Sequence, residues 1–400
     1  MKALLLTNEY PPNVYGGAGV HVDYLSRRLA DLIDVEVRCF GEQECHEDRL
    51  RVTGHASNPL MFEQTPGKLQ SPFQAINQCL SFAATPSDAN VVHCHTWYSH
   101  MGGIFIKKAY DIPLVVTTHS LEPSRPWKRE QLGTGYDLSC WVEKTALEMA
   151  DKIIAVSAGM KEDVLQYFDV DPDRIEVVYN GIDAQEYQPV ETKDSFEKYG
   201  IDPTLPFVLF VGRITRQKGI LHLVNSIPFL DDGIQVVLCA GAPDTPEIAA
   251  EMKAAVETVR HTCNHVVWIE EMVDKATVME LYSHASVFCC PSIYEPFGII
   301  NLEAMACHTP VVASAVGGIK EVVISEETGL LVPLDQHTES PFEPRDPETF
   351  SRDLASAVNQ LIANPERARQ MGQAGRKRVE EHFSWTAIAR QTVDLYESAL

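Results

Sequence analysis

Short apolar runs, each closed by glycine, proline or a polar cluster and followed by residues at helical spacing, recur along the chain. Lys2 to Thr7 reads as an opening strand, and Val20, Val22, Leu25, Leu29 and Leu32 mark the helix after it. Val35 to Phe40, the run ANVVHCH, Leu114 to Thr118, Asp151 to Ser157 and Ile175 to Tyr179 predict further strands, with a helix over Gly159 to Phe168. No element is assigned from Gly41 to about Pro72. The pattern restarts at Phe207 to Val211, Ile234 to Gly241 and Val266 to Ile269, and closes with Thr328 to Val332, a helix start at Asp346 and an amphipathic helix in FSWTAIARQTVDLYESAL. Between the two series, DAQEYQPVETKDSFEKYGIDPTLP lacks any sustained apolar period and reads as a linker near residue 190. A second irregular stretch, 336–344, reads as a mobile insert.

Strands alternating with helices imply an α/β protein with parallel sheets. Two such series in 400 residues imply two Rossmann-like, doubly wound domains. The expected division is 1–188, 189–385 and a C-terminal helix over 386–400.

The stretch Ser292 to Gly318 gathers the most chemistry. Pro296 and Gly298 keep Glu295 in a loop, whereas Ile299 to Cys307 contains no breaker and Pro310 ends what precedes it, so Glu303 falls in a short helix. With ASVFCCP before and PVVAS after, the unit is strand, loop, helix, strand, and ligands of such sheets bind at the strands' carboxyl ends. The amides of Gly298, Ile299, Ile300 and Asn301 then open a helix N-terminus suited to a diphosphate. Two glutamates at this spacing are also common as solvated surface charge.

Composition narrows the partners. Acidic residues outnumber basic ones, 56 to 33, a formal charge of -23 that disfavours nucleic acid and anionic membranes and requires a local basic pocket for any phosphate ligand. Arg213 and Lys218, around Gly212 and Gly219, offer that pocket, with an exposed basic turn as the alternative. The ten cysteines form no C-x-x-C pair and mostly lie in apolar runs, which reads as reduced thiols in a cytoplasmic protein. No apolar run is long enough to span a membrane, and the short Met1–Leu6 run lacks a cleavage site.

Three other clusters stay open on pattern alone. Gly16, Gly17 and Gly19 permit close backbone approach to a ligand or a plain tight turn. His93, His95 and His100 suit core packing or lining of an acceptor site, and no carboxylate or cysteine stands at a spacing that completes a metal site. His119, at the end of a strand, either points to the ligand side of the sheet or is a structural histidine, and Arg125, Trp127, Lys128 and Arg129 form either an acceptor surface or a solvated loop.

Glu295 and Glu303, with EPFG and EAMA about them, resemble the E-x7-E signature of retaining GT-B glycosyltransferases, and Gly212 to Gly219 resembles their G-R-x-x-x-x-K-G element. HSLEPSRPWKREQLGTGY, WVEKTALEMADKIIAVSAGMKEDVL, VVYNGID and NEYPPNVYGGAGVHV resemble the actinobacterial-type glycogen synthases, a group that includes α-maltose-1-phosphate synthases, over essentially the whole chain. One departure is the missing K-x-G-G-L lysine, Val14 and Tyr15 standing before Gly16.

The resemblance implies a GT-B architecture with an interdomain cleft and a C-terminal crossover helix (386–400) packing on the first domain, and a retaining glucosyltransferase. The donor is a nucleotide diphosphate glucose, ADP-glucose in preference to UDP-glucose, and the acceptor an α-1,4-glucan or glucose 1-phosphate. It implies catalytic roles for His119, Arg213, Lys218 and Glu295, with donor contacts from Gly16, Gly17, Gly298, Ile299, Ile300, Asn301 and Glu303. Tyr15, His95, Arg125, Trp127 and Lys128 are expected on the acceptor side. Neither metal nor cofactor is expected, and a homodimer is left open. Two other readings on this scaffold are a UDP-sugar 2-epimerase and a non-catalytic nucleotide-sugar-binding regulator.

Overall fold

The apolar runs at Lys2–Leu6, Leu114–Thr118 and Val266–Ile269 are strands in the computed structural model, which describes residues 1–14, 16–261, 265–339 and 341–400. The chain forms two units, Met1–Gly181 together with Trp385–Leu400, and Ile182–Ser384.

In the first unit β1 (Lys2–Leu6) leads through α1 (Gly17–Ala30) to β2 (Asp34–Phe40), β3 (Glu44–Glu47), β4 (Leu50–His55) and α2 (Gly67–Ala84). β5 (Val91–His95), α3 (Trp97–Tyr110), β6 (Leu114–Thr118), α4 (Lys128–Leu132), α5 (Gly135–Met149), β7 (Lys152–Ala155), α6 (Ala158–Tyr167) and β8 (Ile175–Val177) follow. The sheet order is β3-β4-β2-β1-β5-β6-β7-β8, parallel except where β3 pairs with β4. Strand order reverses direction between β1 and β5, so the loops after these two strands flank the position where doubly wound sheets bind ligands. Strands buried on both faces need continuous apolar runs, and β1 and β6 supply them.

The segment left unassigned, 41–72, holds β3, β4, a 3-10 turn at Pro59–Phe62 and the start of α2. Pro72 lies inside α2, its ring packed where a Cβ on Gly135 would stand 2.7 Å from its Cγ. α1 buries Val22, Leu25 and Leu29 as expected, but Leu32 lies in the turn beyond it and is exposed.

The second unit contains α7 (Asp194–Tyr199), β9 (Phe207–Arg213), α8 (Ile220–Ser226), β10 (Gln235–Gly241), α9 (Pro246–Arg260), β11 (Val266–Ile269) and α10 (Lys275–His284). It continues with β12 (Val287–Cys290), α11 (Ile299–Ala306), β13 (Val311–Ser314), α12 (Ile319–Val322), β14 (Gly329–Val332), α13 (Pro347–Ile362) and α14 (Pro365–His382). Its sheet is wholly parallel, in the order β11-β10-β9-β12-β13-β14, with the reversal between β9 and β12. Asp346 caps α13 by accepting from the Thr349 amide, with proline at the first helical position. In the stretch 336–344, read as a mobile insert and described except for Ser340, the Gln336 side chain donates to Ile293 O and Phe342 O, and Phe342 stacks on Tyr294.

The last helix, α15 (Trp385–Ala399), belongs to the first unit, where Trp385, Ile388, Leu395 and Tyr396 share a core with Leu25 and Leu29 of α1. Among the described residues no helix is long and apolar enough to cross a membrane, and nine cysteines are free thiols, seven of them buried.

Candidate active site

In the second unit, β9 ends at Arg213 and the loop after it turns at Gly219 (φ 60°), where a Cβ would stand 2.0 Å from Pro291 O. Only glycine lets this loop lie so close to the one after β12. The approach places Lys218 Nζ 2.7 Å from Glu295 Oε2, which Ser292 Oγ also reaches at 3.3 Å. Burial works against the Lys218 charge, but the facing carboxylate outweighs it and holds the pKa above the ordinary lysine range. Glu295 is 6% exposed.

The Glu295 loop is fixed from its far side. Gly318 N donates to Glu295 O at 3.0 Å, and a Cβ on Gly317 (φ 45°) would stand 2.1 Å from the same oxygen. Gly298 (φ 95°) then starts α11. The Asn301 backbone N–H already donates to Gly298 O, so of the four amides predicted to face an anion this one is committed to the helix start, leaving those of Gly298, Ile299 and Ile300.

Arg213 Nη1 donates to Asp244 Oδ1 at 2.8 Å. Asp244, from the GAPDT that follows β10, was not singled out by sequence reasoning, although strand ends are where such partners occur. Glu303 accepts from Tyr187 Oη and Tyr282 Oη, each at 3.1 Å and one per oxygen. Burial raises its pKa above the usual carboxyl range while the two hydroxyls partly offset the rise. One lone pair on each oxygen remains for a further donor.

The first unit holds the other predicted residues. Gly16 and Gly17 open α1, but Gly16 N donates to Glu9 Oε2 at 2.7 Å, and a Cβ on Gly19 would stand 2.7 Å from that oxygen. A carboxylate therefore occupies the amide of Gly16, a residue expected to contact the donor. Tyr15 lies outside the described residues. His119 follows β6, with Nε2 3.1 Å from His95 Nδ1 at the end of β5. His93 bonds Tyr396 Oη and Thr117 Oγ1, both at 2.7 Å, and is a core residue. His21 joins the pair, its ring centroid 4.7 Å from that of His119. Burial holds all these imidazoles below their usual pKa, His21 at about 4, His93 at about 3 and His95 and His119 far down, so they are neutral at pH 7.

Both arginines of the expected basic surface are paired with neighbouring carboxylates, and its lysine with a neutral amide. Arg125 Nη2 donates to buried Glu122 at 2.5 Å, the Arg129 guanidinium pairs with Asp137, and Lys128 Nζ donates to Gln131 at 3.2 Å. Trp127 is half-buried immediately before α4.

The profile described as Glycosyltransferase Family 4 matches residues 15–186, and that described as Glycosyl transferases group 1 matches 191–378. The alpha-maltose-1-phosphate synthase of Mycolicibacterium smegmatis is 47% identical over 400 residues, 99% of each chain. The chain belongs to glycosyltransferase family 4. Across 99% of both chains it is also 45% identical to the alpha-maltose-1-phosphate synthase of Mycobacterium tuberculosis strain H37Rv. The sucrose-phosphate synthase of Thermosynechococcus elongatus superposes with a TM-score of 0.78 at 27% identity, over 100% of this chain and 99% of that one. The expected GT-B class and hexosyltransferase activity are those of this family, which sets aside the epimerase and the non-catalytic regulator.

Proposed function

We propose that the protein transfers α-glucose, with retention, from ADP-glucose to glucose 1-phosphate, giving α-maltose 1-phosphate, with an α-1,4-glucan end as the second acceptor. The observation that carries the reading is the meeting of Arg213, Lys218 and Glu295 with the start of α11, at the carboxyl ends of adjacent parallel strands β9 and β12. Cations and a helix N-terminus at one strand end suit a diphosphate leaving group. The names of the full-length relatives supply the acceptor.

In this reading Arg213, Lys218 and the first amides of α11 stabilise the charge that grows on the departing nucleotide diphosphate, and no metal ion takes part in the step. The C–O bond to the leaving phosphate breaks as the acceptor hydroxyl adds on the same face, its proton passing to the departing phosphate oxygen. Glu295 holds sugar hydroxyls. A double displacement needs a carboxylate free to attack the anomeric carbon, whereas Glu295 Oε2 already faces Lys218 and Ser292. Glu303 takes the ribose hydroxyls with its remaining lone pairs. His119 serves the donor sugar, and Tyr15, His95, Arg125, Trp127 and Lys128 the acceptor.

The test is a matrix of ADP-glucose and UDP-glucose against glucose 1-phosphate and a short α-1,4-glucan, read by chromatography. ADP-glucose with glucose 1-phosphate is expected to give the fastest turnover. Faster turnover with UDP-glucose would overturn the donor assignment, and turnover on the glucan alone would overturn the acceptor.

A further inference from the structure

Sequence spacing groups His93, His95 and His100, but the fold groups different histidines. His21 comes from α1, His95 from the end of β5 and His119 from beyond β6, and one ring nitrogen of each lies within 4.8 Å of those of the other two. All three belong to the first unit. The loops after β1 and β5 flank the reversal of that sheet, which is why segments so far apart in sequence meet here.

The ring nitrogens are arranged as a ligand set. His21 Nδ1 faces Asn180 Oδ1 at 2.7 Å, an oxygen that accepts the Nδ1 proton and so leaves the Nε2 lone pair unprotonated. That Nε2 is buried and has no hydrogen-bond partner. A buried polar atom without a partner is costly and calls for an explanation. His95 Nδ1 and His119 Nε2, 3.1 Å apart, are spaced as two nitrogens on one small cation are, given metal–nitrogen bonds of about 2.0–2.1 Å. Burial keeps the imidazoles neutral, the form that binds metal. His21 and His95 are buried while His119 is partly exposed, so solvent reaches the cluster on the His119 side.

The geometry points to a three-histidine site for a borderline transition-metal cation of the Zn²⁺ or Co²⁺ kind, held by His21, His95 and His119, with Asn180 orienting His21 and a fourth position open to water. The charge and ligand type select such cations over Mg²⁺ and Ca²⁺, which take oxygen ligands. The site is not part of the transfer step. It rests on the proposed role of His119 only in one consequence: a cation on His119 Nε2 fixes that ring, so occupancy inhibits transfer.

Cobalt titration of the chelator-stripped, full-length protein tests the site apart from activity. The expected result is one equivalent of Co²⁺ with the intense visible d–d bands of a four-coordinate site, displaced by Zn²⁺. His21→Gln is expected to abolish the bands, and Asn180→Ala to weaken cobalt binding by about 10-fold to 100-fold. Absence of the bands in the wild type would overturn the proposal, as would bands unchanged in His21→Gln or a sulfur-to-cobalt charge-transfer band showing binding at cysteines. Zn²⁺ is expected to inhibit the wild type and to spare His21→Gln. Equal inhibition of both would overturn the regulatory consequence. A stripped enzyme without transferase activity would count against the proposed function and leave the cobalt result standing.

Discussion

Lys218 Nζ and Glu295 Oε2 lie 2.7 Å apart, joining the loop after β9 to the loop after β12. The pair is mostly removed from solvent, with side-chain exposures of 21% and 8%. Each charge is the other's compensation, so removing one leaves the other poorly solvated. Lys218→Ala is expected to lower kcat by about 10²-fold or more at saturating donor, the loss typical of one transition-state stabiliser. Adding Glu295→Ala is expected to cost less than the product of the single losses, because the two residues act as a unit. Near wild-type kcat in Lys218→Ala, with a normal circular dichroism spectrum, would remove it from the leaving-group site.

Arg213 is aimed by Asp244. Asp244→Asn keeps the shape but weakens a charge-assisted bond, and kcat/KM for the donor is expected to fall roughly tenfold, about 1.4 kcal/mol. Steady-state kinetics at varied donor would show it, and an unchanged kcat/KM would mean that Arg213 needs no such support.

The buried histidines set the acid limit of stability. Folded pKa values of about 4 for His21 and about 3 for His93 and His100 lie below the unfolded value near 6.5. Below about pH 6.5 the unfolded chain takes up protons that the folded chain refuses, so stability is full above that pH and is lost progressively as pH falls toward 4. Each such imidazole contributes a slope of up to about 1.4 kcal/mol per pH unit. Melting temperature is expected to drop steeply between about pH 6.5 and about pH 5, and a flat profile over that range would contradict the burial of these neutral rings.

Gly317→Ala puts a Cβ against Glu295 O from a backbone at φ 45°, whereas Gly200, at φ 70° on the C-terminus of α7, has open space around it. Both variants are expected to lose about 1 kcal/mol or more from backbone strain, but only Gly317→Ala should also lose transferase activity. Equal activity in the two would mean that the Glu295 loop tolerates displacement.

The sequence made visible those elements in which one physical signal dominates. β6 spans Leu114–Thr118 and β11 Val266–Ile269, as their uninterrupted apolar runs indicate, and Asp346 caps its helix where the Asp-Pro-Glu signal predicts. The second-unit candidate residues stood out for a related reason: Arg213, Lys218 and Glu295 adjoin Gly212, Gly219 and Pro296, which mark loops, and Glu303 lies in the breaker-free stretch that forms α11. Legibility ended where meaning depends on a distant partner. Asp244 becomes informative only once β10 lies beside β9, and the Glu9 carboxylate on the Gly16 amide gives no periodic signal. The grouping of His21, His95 and His119 requires α1 to lie against the ends of β5 and β6, which residue spacing does not reveal. Segment 41–72 was obscured by a short edge strand and by a proline inside α2.

The central claim is retaining glucosyl transfer driven by protein cations, and a proton and phosphorus NMR time course tests it directly. With chelator-stripped enzyme in excess EDTA, ADP-glucose and glucose 1-phosphate are expected to yield ADP and a disaccharide phosphate whose new anomeric proton shows the small coupling of an α linkage from the first turnover. A β-linked product, or activity that returns only when Mg²⁺ or Mn²⁺ is added, would contradict it.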